Sequence, residues 1–553
     1  MNKICKKCGT DFEITEEDLG FYDRISPIIN GKKYPMPTPT LCPDCRLRRR
    51  LSFRNENVLH KRKCDLCQKQ IISVFPEDAH FPVYCVDCFW SDKWSPLNYG
   101  RDFDFDRPFF DQFKELMEAV PKMGFYQLST ENSEYNSYSA YAKNVYMSPG
   151  SYFIEDCVYA RGSQYLKDCL NGNFLDHCEL VESAVNSSNC YNCRKIFNCK
   201  NCSDCSYLAD STGCKNCFMC SGLRQQKYCI KNKPYSKEEY ERILHEKLSQ
   251  PDESLMTEFV EFNKTIPKKY QNQQNCENSS GNFIQDCKNA QMCFDCYKVQ
   301  DSKYIIGCED VKDSMDLNMH DKNIQLCYEM SSGGDSSYMT KFCFCSCLSP
   351  YTEYGFSCFF AKDCFGCDGI NSKTENCILN KRYSKQEYDI LKGKIIEHMT
   401  KSGEYGEFFP MELSPVPYNE SMAQKTFPMS KEAILSEGLK WKEEDKKEFF
   451  KSDYLLPYKI EETTDDVLNH ILSCEVCGKN YKIVPMELSL SKKIQAPLSR
   501  KCLDCRQSDL EVFRKPGKLH ERFCDSCGID VISVYKSTDP EKILCEKCFY
   551  KSQ

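Results

Sequence analysis

Laid out in rows of 21, residues 151–234 bring their cysteines into columns: SYFIEDCVYARGSQYLKDCLN, GNFLDHCELVESAVNSSNCYN, CRKIFNCKNCSDCSYLADSTG and CKNCFMCSGLRQQKYCIKNKP. Cys157, Cys178, Cys199 and Cys220 share one column, and Ile154, Leu175, Ile196 and Cys217 another. Within a row every third residue is small or apolar, as in Ser151, Ile154, Cys157, Ala160, Ser163, Leu166 and Cys169, and those between are mostly polar. A fixed period of about 20 residues with short side chains stacked inward is the mark of a solenoid in which one row makes one coil. The pattern predicts a narrow β-solenoid of 21-residue coils, stacked at the strand spacing of about 4.8 Å. Cysteine suits such a lumen because it is small, readily buried and weakly polar. The run NCKNCSDCSY therefore supplies Cys199, Cys202 and Cys205 as lumen fillers. In the alternative, these and Cys214, Cys217 and Cys220 converge on a thiophilic metal or oxidise, since stacked Cα atoms fall inside the disulfide window of about 4.4–6.8 Å.

The pattern returns in GNFIQDCKNAQMCFDCYKVQD from Gly281, with Cys287 and Cys308, and again Cys343 and Cys364, 21 apart. Its register slips between Cys308 and Cys327, where Gly333 and Gly334 suggest a bulging loop. Both repeats close alike, in KYCIKNKPYSKEEYERIL and ENCILNKRYSKQEYDIL. Ser236 with Glu239 and Ser384 with Glu387 read as capping boxes that start helices, expected to cover the open solenoid ends. Two more helices are expected, from Arg107 and from Ser430.

Near the start the cysteines come as Cys5/Cys8, Cys42/Cys45, Cys64/Cys67 and Cys85/Cys88, and near the end as Cys474/Cys477, Cys502/Cys505, Cys524/Cys527 and Cys545/Cys548. The spacings match, and VLHKRKCDLCQKQIISVF answers to KLHERFCDSCGIDVISVY, so the ends are an internal duplication. A Cys-x-x-Cys knuckle offers two thiolates from one turn, and a second completes the tetrahedral four-sulfur shell of structural zinc. Gly9, Gly478 and Gly528, each following a knuckle, permit a positive φ there. Four structural zinc ions are expected. With every ligand place filled by protein, none is left for a catalytic water. A thioredoxin-like redox role for the pairs lacks the βαβ context.

Forty-one cysteines without an apolar leader or membrane run point to a cytoplasmic chain with reduced thiols. The net charge of −7 gives no global attraction to nucleic acid or anionic membranes. One local exception lies after Asp44: Arg46, Arg48, Arg49, Arg50, Arg54, Lys61, Arg62 and Lys63 could meet phosphates, and Phe53 could stack a base. The competing reading is a solvated loop that screens thiolate charge.

The resulting layout is mainly β: two zinc-ribbon or treble-clef-like modules over 1–100, a helical connector over 101–130 and a cysteine-rich solenoid over 131–233. A capping helix and linker over 234–275, a second solenoid over 276–380, a capping helix and ordered linker over 381–470, and two further zinc modules over 471–553 complete it.

CKKCGTDFEI with FYDR and PTLCPDCR resembles the zinc-ribbon class built on a Cys-x-x-Cys-Gly knuckle, a Phe-Tyr pair and a closing Cys-x-x-Cys-Arg, apart from a long insert before Cys42. LSFRNENVLHKRKCD, SDKWSPLNYGRDFDFDRPFFDQF and CFGCDGINSKTENCILNKRYSKQEYD are similar to a family of large cysteine-rich zinc-ribbon proteins of uncultivated bacteria, a likeness that implies zinc and no particular activity. The expected function is a zinc-stabilised scaffold for a macromolecular partner, a protein first. A metal reservoir or thiol redox buffer is one alternative, and nucleic-acid binding through residues 46–63 another. No catalytic constellation assembles, so no enzyme is expected.

Overall fold

The computed structural model describes residues 1–553 except 57, 134, 161–168, 174–178, 186, 249–250, 321, 444–447, 512, 514–516 and 553; residues 169–173, 179–185 and 320 are described by their backbone. The chain is mainly β and forms two compact units. One combines Met1–Tyr126, Gln273–Ser280 and Ile284–Glu444; the other combines Gln127–Asn272, Gly281–Phe283 and Asp445–Gln553. The amino-terminal ribbons thus belong with the second solenoid and the carboxy-terminal ribbons with the first.

The solenoids are real, but their coil is shorter than expected. Arg194 pairs in parallel with Ser206, Ser206 with Phe218, and Phe218 with Ile230, so one coil of the first solenoid takes 12 residues, not 21. Cys193 therefore shares its column with Cys205, Cys217 and Cys229. Cys199 sits one coil after Ser187, and Cys220 one coil after Leu208. Cys157, Cys199 and Cys220 consequently stand in different columns, and Cys178 lies outside the described residues. The mistaken register has a simple cause. Both 21 and 12 are multiples of three, so either layout keeps the inward residues inward.

The triplet itself is the structural unit. Asn189, Asn192, Lys195, Asn198, Asn201, Asp204, Tyr207 and Asp210 all have φ between 48° and 57°. The left-handed residue precedes each inward one and turns the chain, so four triplets close a coil. Such a conformation costs about 1–2 kcal/mol for an ordinary residue and least for Asn and Asp. Side-chain ladders along the corners offset part of this: Asn132 donates to Asn144 at 3.1 Å and Asn144 to Asp156 at 2.9 Å, while Asn192 donates to Asp204 at 2.9 Å.

Inside, cysteine and serine do the same work. The Cys205 thiol donates to the Ser203 carbonyl at 3.2 Å, and its sulfur accepts the Cys217 amide at 3.4 Å. Ser211 donates to the Ala209 carbonyl at 2.7 Å and accepts the Leu223 amide at 3.0 Å. In both cases the side chain adds a donor to a carbonyl that already accepts a backbone amide and supplies the partner of an inward amide one coil on.

In the second solenoid the coil holds 12 residues from Ile305 to Leu317 and 13 from Leu317 to Met330 and from Met330 to Cys343. One extra residue enters between His320 and Ile324 and the other between Ser331 and Ser337, at the expected bulge. A side chain on Gly334 would stand 2.4 Å from the Cys347 sulfur, which holds that position to glycine.

The last coils end on an asparagine. Asn232 accepts the Ser221 amide at 3.0 Å and donates to its carbonyl at 2.8 Å, and Asn380 makes the same pair with Asp368 at 2.8 Å each. The chain then turns back as an antiparallel strand, Lys233–Pro234 or Lys381–Arg382. This turn pairs two residues of the last strand, and the following helix packs on the same strand, with Tyr240 against Tyr228 in the first solenoid. The helices Lys237–Lys247 and Lys385–Ser402 start where expected, with Ser236 and Ser384 as caps, although only Ser384 completes the capping box with Glu387. Within the second unit Tyr240, Leu255 and Phe259 pack against Phe197, Tyr207 and Phe218 on the flank of the first solenoid. The expected Phe109–Ala119 helix packs Phe109 on Tyr354 and Phe365, and the Ser430 segment forms the short Lys431–Ser436 helix. No described helix is long and apolar enough to cross a membrane.

Candidate metal centres

Each centre is assembled from two local devices. The first is a knuckle at the tip of a two-stranded hairpin, such as Asn2–Ile4 with Asp11–Glu13, where the Cys5 amide donates to the Thr10 carbonyl and the Gly9 amide to the Cys5 carbonyl, both at 2.9 Å. Gly9, Gly478 and Gly528 all have φ of 74°. The fourth knuckle makes the same turn with Gln68 at 62°. The second device is the start of a helix: Cys42, Cys85 and Cys545 each cap one, and Cys502 directly precedes Leu503–Glu511. Unpaired amides at a helix start favour thiolate.

The two devices meet as the spacing predicts. The sulfurs of Cys5, Cys8, Cys42 and Cys45 lie within 4.8 Å of one another, and so do those of the sets beginning at Cys64, Cys474 and Cys524. Sulfurs from opposite pairs are 3.6 Å apart for Cys8 and Cys42, 3.9 Å for Cys67 and Cys85, 3.6 Å for Cys477 and Cys502, and 3.7 Å for Cys527 and Cys545. A tetrahedron with metal–sulfur bonds of about 2.3 Å has edges of about 3.8 Å. The four shells therefore have the dimensions of tetrahedral metal–thiolate sites, and all sixteen predicted cysteines are in place.

The thiols of each shell divide: burial pushes Cys42 up to about 11 and carries Cys45, Cys88 and Cys505 well above their ordinary value, while others are held low. Burial works against the thiolates of Cys5, Cys474 and Cys524, yet amide hydrogens of the two knuckles hold each at about 6. The Lys69 amide holds Cys67 at about 7. The Cys64 sulfur accepts the Cys85 amide, and the Cys524 sulfur the Cys545 amide, each at 3.2 Å. Asp65 and Asp525 stand outside the ligand pattern but brace it: each takes the amide before the helix-side knuckle, from Val83 and Ile543, at 2.6 Å, and each faces an arginine, Arg62 or Arg522. The shared CDLC and CDSC carried that signal.

The lumen thiols differ. Among the described residues none joins a group of three or more ligand atoms within that radius, and none is in a disulfide. Burial pushes Cys293, Cys327 and Cys343 up to about 12, which keeps them protonated donors.

The basic segment is where the structure overturns the expectation of a phosphate-binding surface. Arg46, Arg50 and Arg54 are almost wholly buried, Arg49 nearly so, and Phe53 is 1% exposed. Arg46 pairs with Asp316 at 2.8 Å, Arg49 with Glu329 at 2.8 Å and Glu407 at 2.7 Å, and Arg50 with Glu329 at 2.9 Å. Arg54 meets Glu56 and Ser332, Arg48 meets Glu437 and Tyr418, and Arg62 meets Asp65 and the Pro76 carbonyl. Phe53 packs among Phe344, Phe356, Phe408 and Phe409. Of the nine residues only Lys61 and Lys63 are exposed. Helix Pro43–Leu51 is thus clamped to the second solenoid by charges that carboxylates on that solenoid already neutralise.

No family model and no curated protein matches the chain. Among solved structures, one assigned as an acetyltransferase from Desulfovibrio desulfuricans aligns at 12% identity with a TM-score of 0.09; the match covers 41% of this chain and 63% of that one, less than two thirds of its length. A superposition of that quality has no bearing on fold or activity here.

Proposed function

We propose that the chain is a zinc-stabilised scaffold that presents its solenoid faces to a macromolecular partner. The observation that carries this reading is the closure of the four shells: each has four protein sulfurs at tetrahedral spacing, and the shells that hold Cys42 and Cys502 start helices that pack on a solenoid. Zinc is the ion of choice because four thiolates in a tetrahedral shell suit it, and because it brings no redox chemistry. In small zinc modules metal binding and folding are one equilibrium. Removing the ion should therefore free the helix from its solenoid. The reservoir alternative is weakened by the lumen thiols, whose hydrogens are committed to backbone carbonyls. The test is hydrogen exchange before and after a strong chelator: Pro43–Leu51 and Leu503–Glu511 should lose protection while the coils around Cys205 and Cys343 keep theirs. Unchanged protection in both helices would sink the proposal.

A further inference from the structure

One side of the first solenoid gathers cations in adjacent coils. Two neighbouring columns run along it through successive coils. One is Tyr191, Ser203, Lys215 and Lys227; the other is Ser188, Lys200, Thr212 and Arg224. Among these eight side chains are four cations and no carboxylate; the first column's preceding register position is Glu179, three coils before Lys215 in the ladder through Tyr191 and Ser203. Lys215 and Lys227 are exact register partners in adjacent parallel strands, a coil spacing of about 4.8 Å apart. Like charges directly opposite each other in a sheet destabilise it. Both lysines are exposed, neither belongs to an ion pair among the described residues, and Arg224 donates to the Thr212 hydroxyl.

The second solenoid shows the ordinary arrangement. There Lys288 faces Glu277 at 3.2 Å and Lys322 faces Glu309 at 3.3 Å. On the first solenoid the repulsion is left standing, which points to an anion supplied from outside. Tyr191, in the same column as the lysines, is 54% exposed and offers a ring for stacking. The exposed amides of Asn189, Asn201 and Gln225 line the corner between the columns. Regularly spaced cations, an open aromatic ring and a row of amides are what a single nucleic-acid strand needs: charge along the backbone, a stacking platform, and donors for base edges.

We infer that this face of the first solenoid binds single-stranded nucleic acid through Lys200, Lys215, Arg224 and Lys227, with Tyr191 stacking a base. The inference rests on the scaffold reading and names the partner class for one exposed face.

The test is fluorescence anisotropy of the full chain with a labelled oligouridylate of about 15 nucleotides, with metal content measured on the same sample. Four phosphate contacts give a log–log salt slope of about −2.8, so binding should weaken about fifty-fold between 50 and 200 mM salt. K215E/K227E should cut affinity at least about tenfold and flatten the slope. K227Q should also weaken binding while its melting temperature stays level or rises, because it removes the like-charge pair; a lysine held for structural reasons would show the opposite. Absence of binding at 50 mM salt, binding indifferent to salt or to K215E/K227E, or equally good competition by polyglutamate would overturn the inference. If fewer than four metal ions are retained, the scaffold reading has failed; if binding is absent with four retained, only this inference has.

Discussion

The two ends of the chain dock the same helix on different walls. Arg46 and Arg506, 460 residues apart, both donate to the carbonyl five residues back, Leu41 or Lys501, and both enter a buried ion pair, with Asp316 or Glu487. Phe53 and Phe513, at the same offset, both enter aromatic clusters; Phe513 stacks on Phe197 with ring centres 3.7 Å apart. Between them the copies diverge. Arg50 meets Asn318, Asp316 and Glu329, whereas Leu510 in its place meets the apolar flank of Phe197, Phe218 and Phe259. The metal module sets where the helix stands, and the solenoid wall decides what chemistry the helix must bring. An arginine run in one copy is therefore a matching surface, not a free one.

Breaking a metal shell should have the largest effect. C45S or C505S should lose one ion of four and release its own helix, leaving the other end docked, because apparent metal-binding energies in such modules are of order 10 kcal/mol. Metal analysis with hydrogen exchange checks this. Next come the walls: R50L should cost about 3–5 kcal/mol by leaving the buried Asp316 and Glu329, which keep Arg46 and Arg49, one shared cation short, and L510R should cost a similar amount by placing a charge among phenyl rings. R50M/E329M should recover most of the loss, read as denaturation midpoints. F53A and F513A should cost alike, about 3–5 kcal/mol, since both rings are buried in aromatic clusters. Smallest is the lumen: C205A should cost about 1–3 kcal/mol by orphaning the Cys217 amide, while the Ser203 carbonyl keeps the Asn216 amide. C205S, which keeps both hydrogen bonds, should be nearly neutral. Equal losses for C205A and C205S would refute the hydrogen-bonding role of the lumen thiols.

The metal shells were legible because a ligand pair is a local device: Cys-x-x-Cys with a turn residue builds its own geometry wherever it falls. The solenoid was legible as triplets for the same reason. Its coil length was not, because the number of triplets per coil depends on the left-handed corners, and these are occupied by Tyr207, Lys195, Phe153 and Met219 as well as by Asn and Asp. No residue type marks them. The burial of Arg46, Arg49 and Arg50 was illegible for another reason, since Asp316 and Glu329 lie more than 260 residues downstream in the second solenoid. A charge run shows its sign in the sequence but not its partner.

Native mass spectrometry of protein purified without chelator, with a thiol titration on the same sample, tests the central claim most directly. With 41 cysteines and 16 in the four shells, the account predicts four zinc ions in the native protein and, once it is unfolded in chelator, 41 titratable thiols. A fifth or further ion held by the lumen, iron in place of zinc, or fewer than four ions would contradict it.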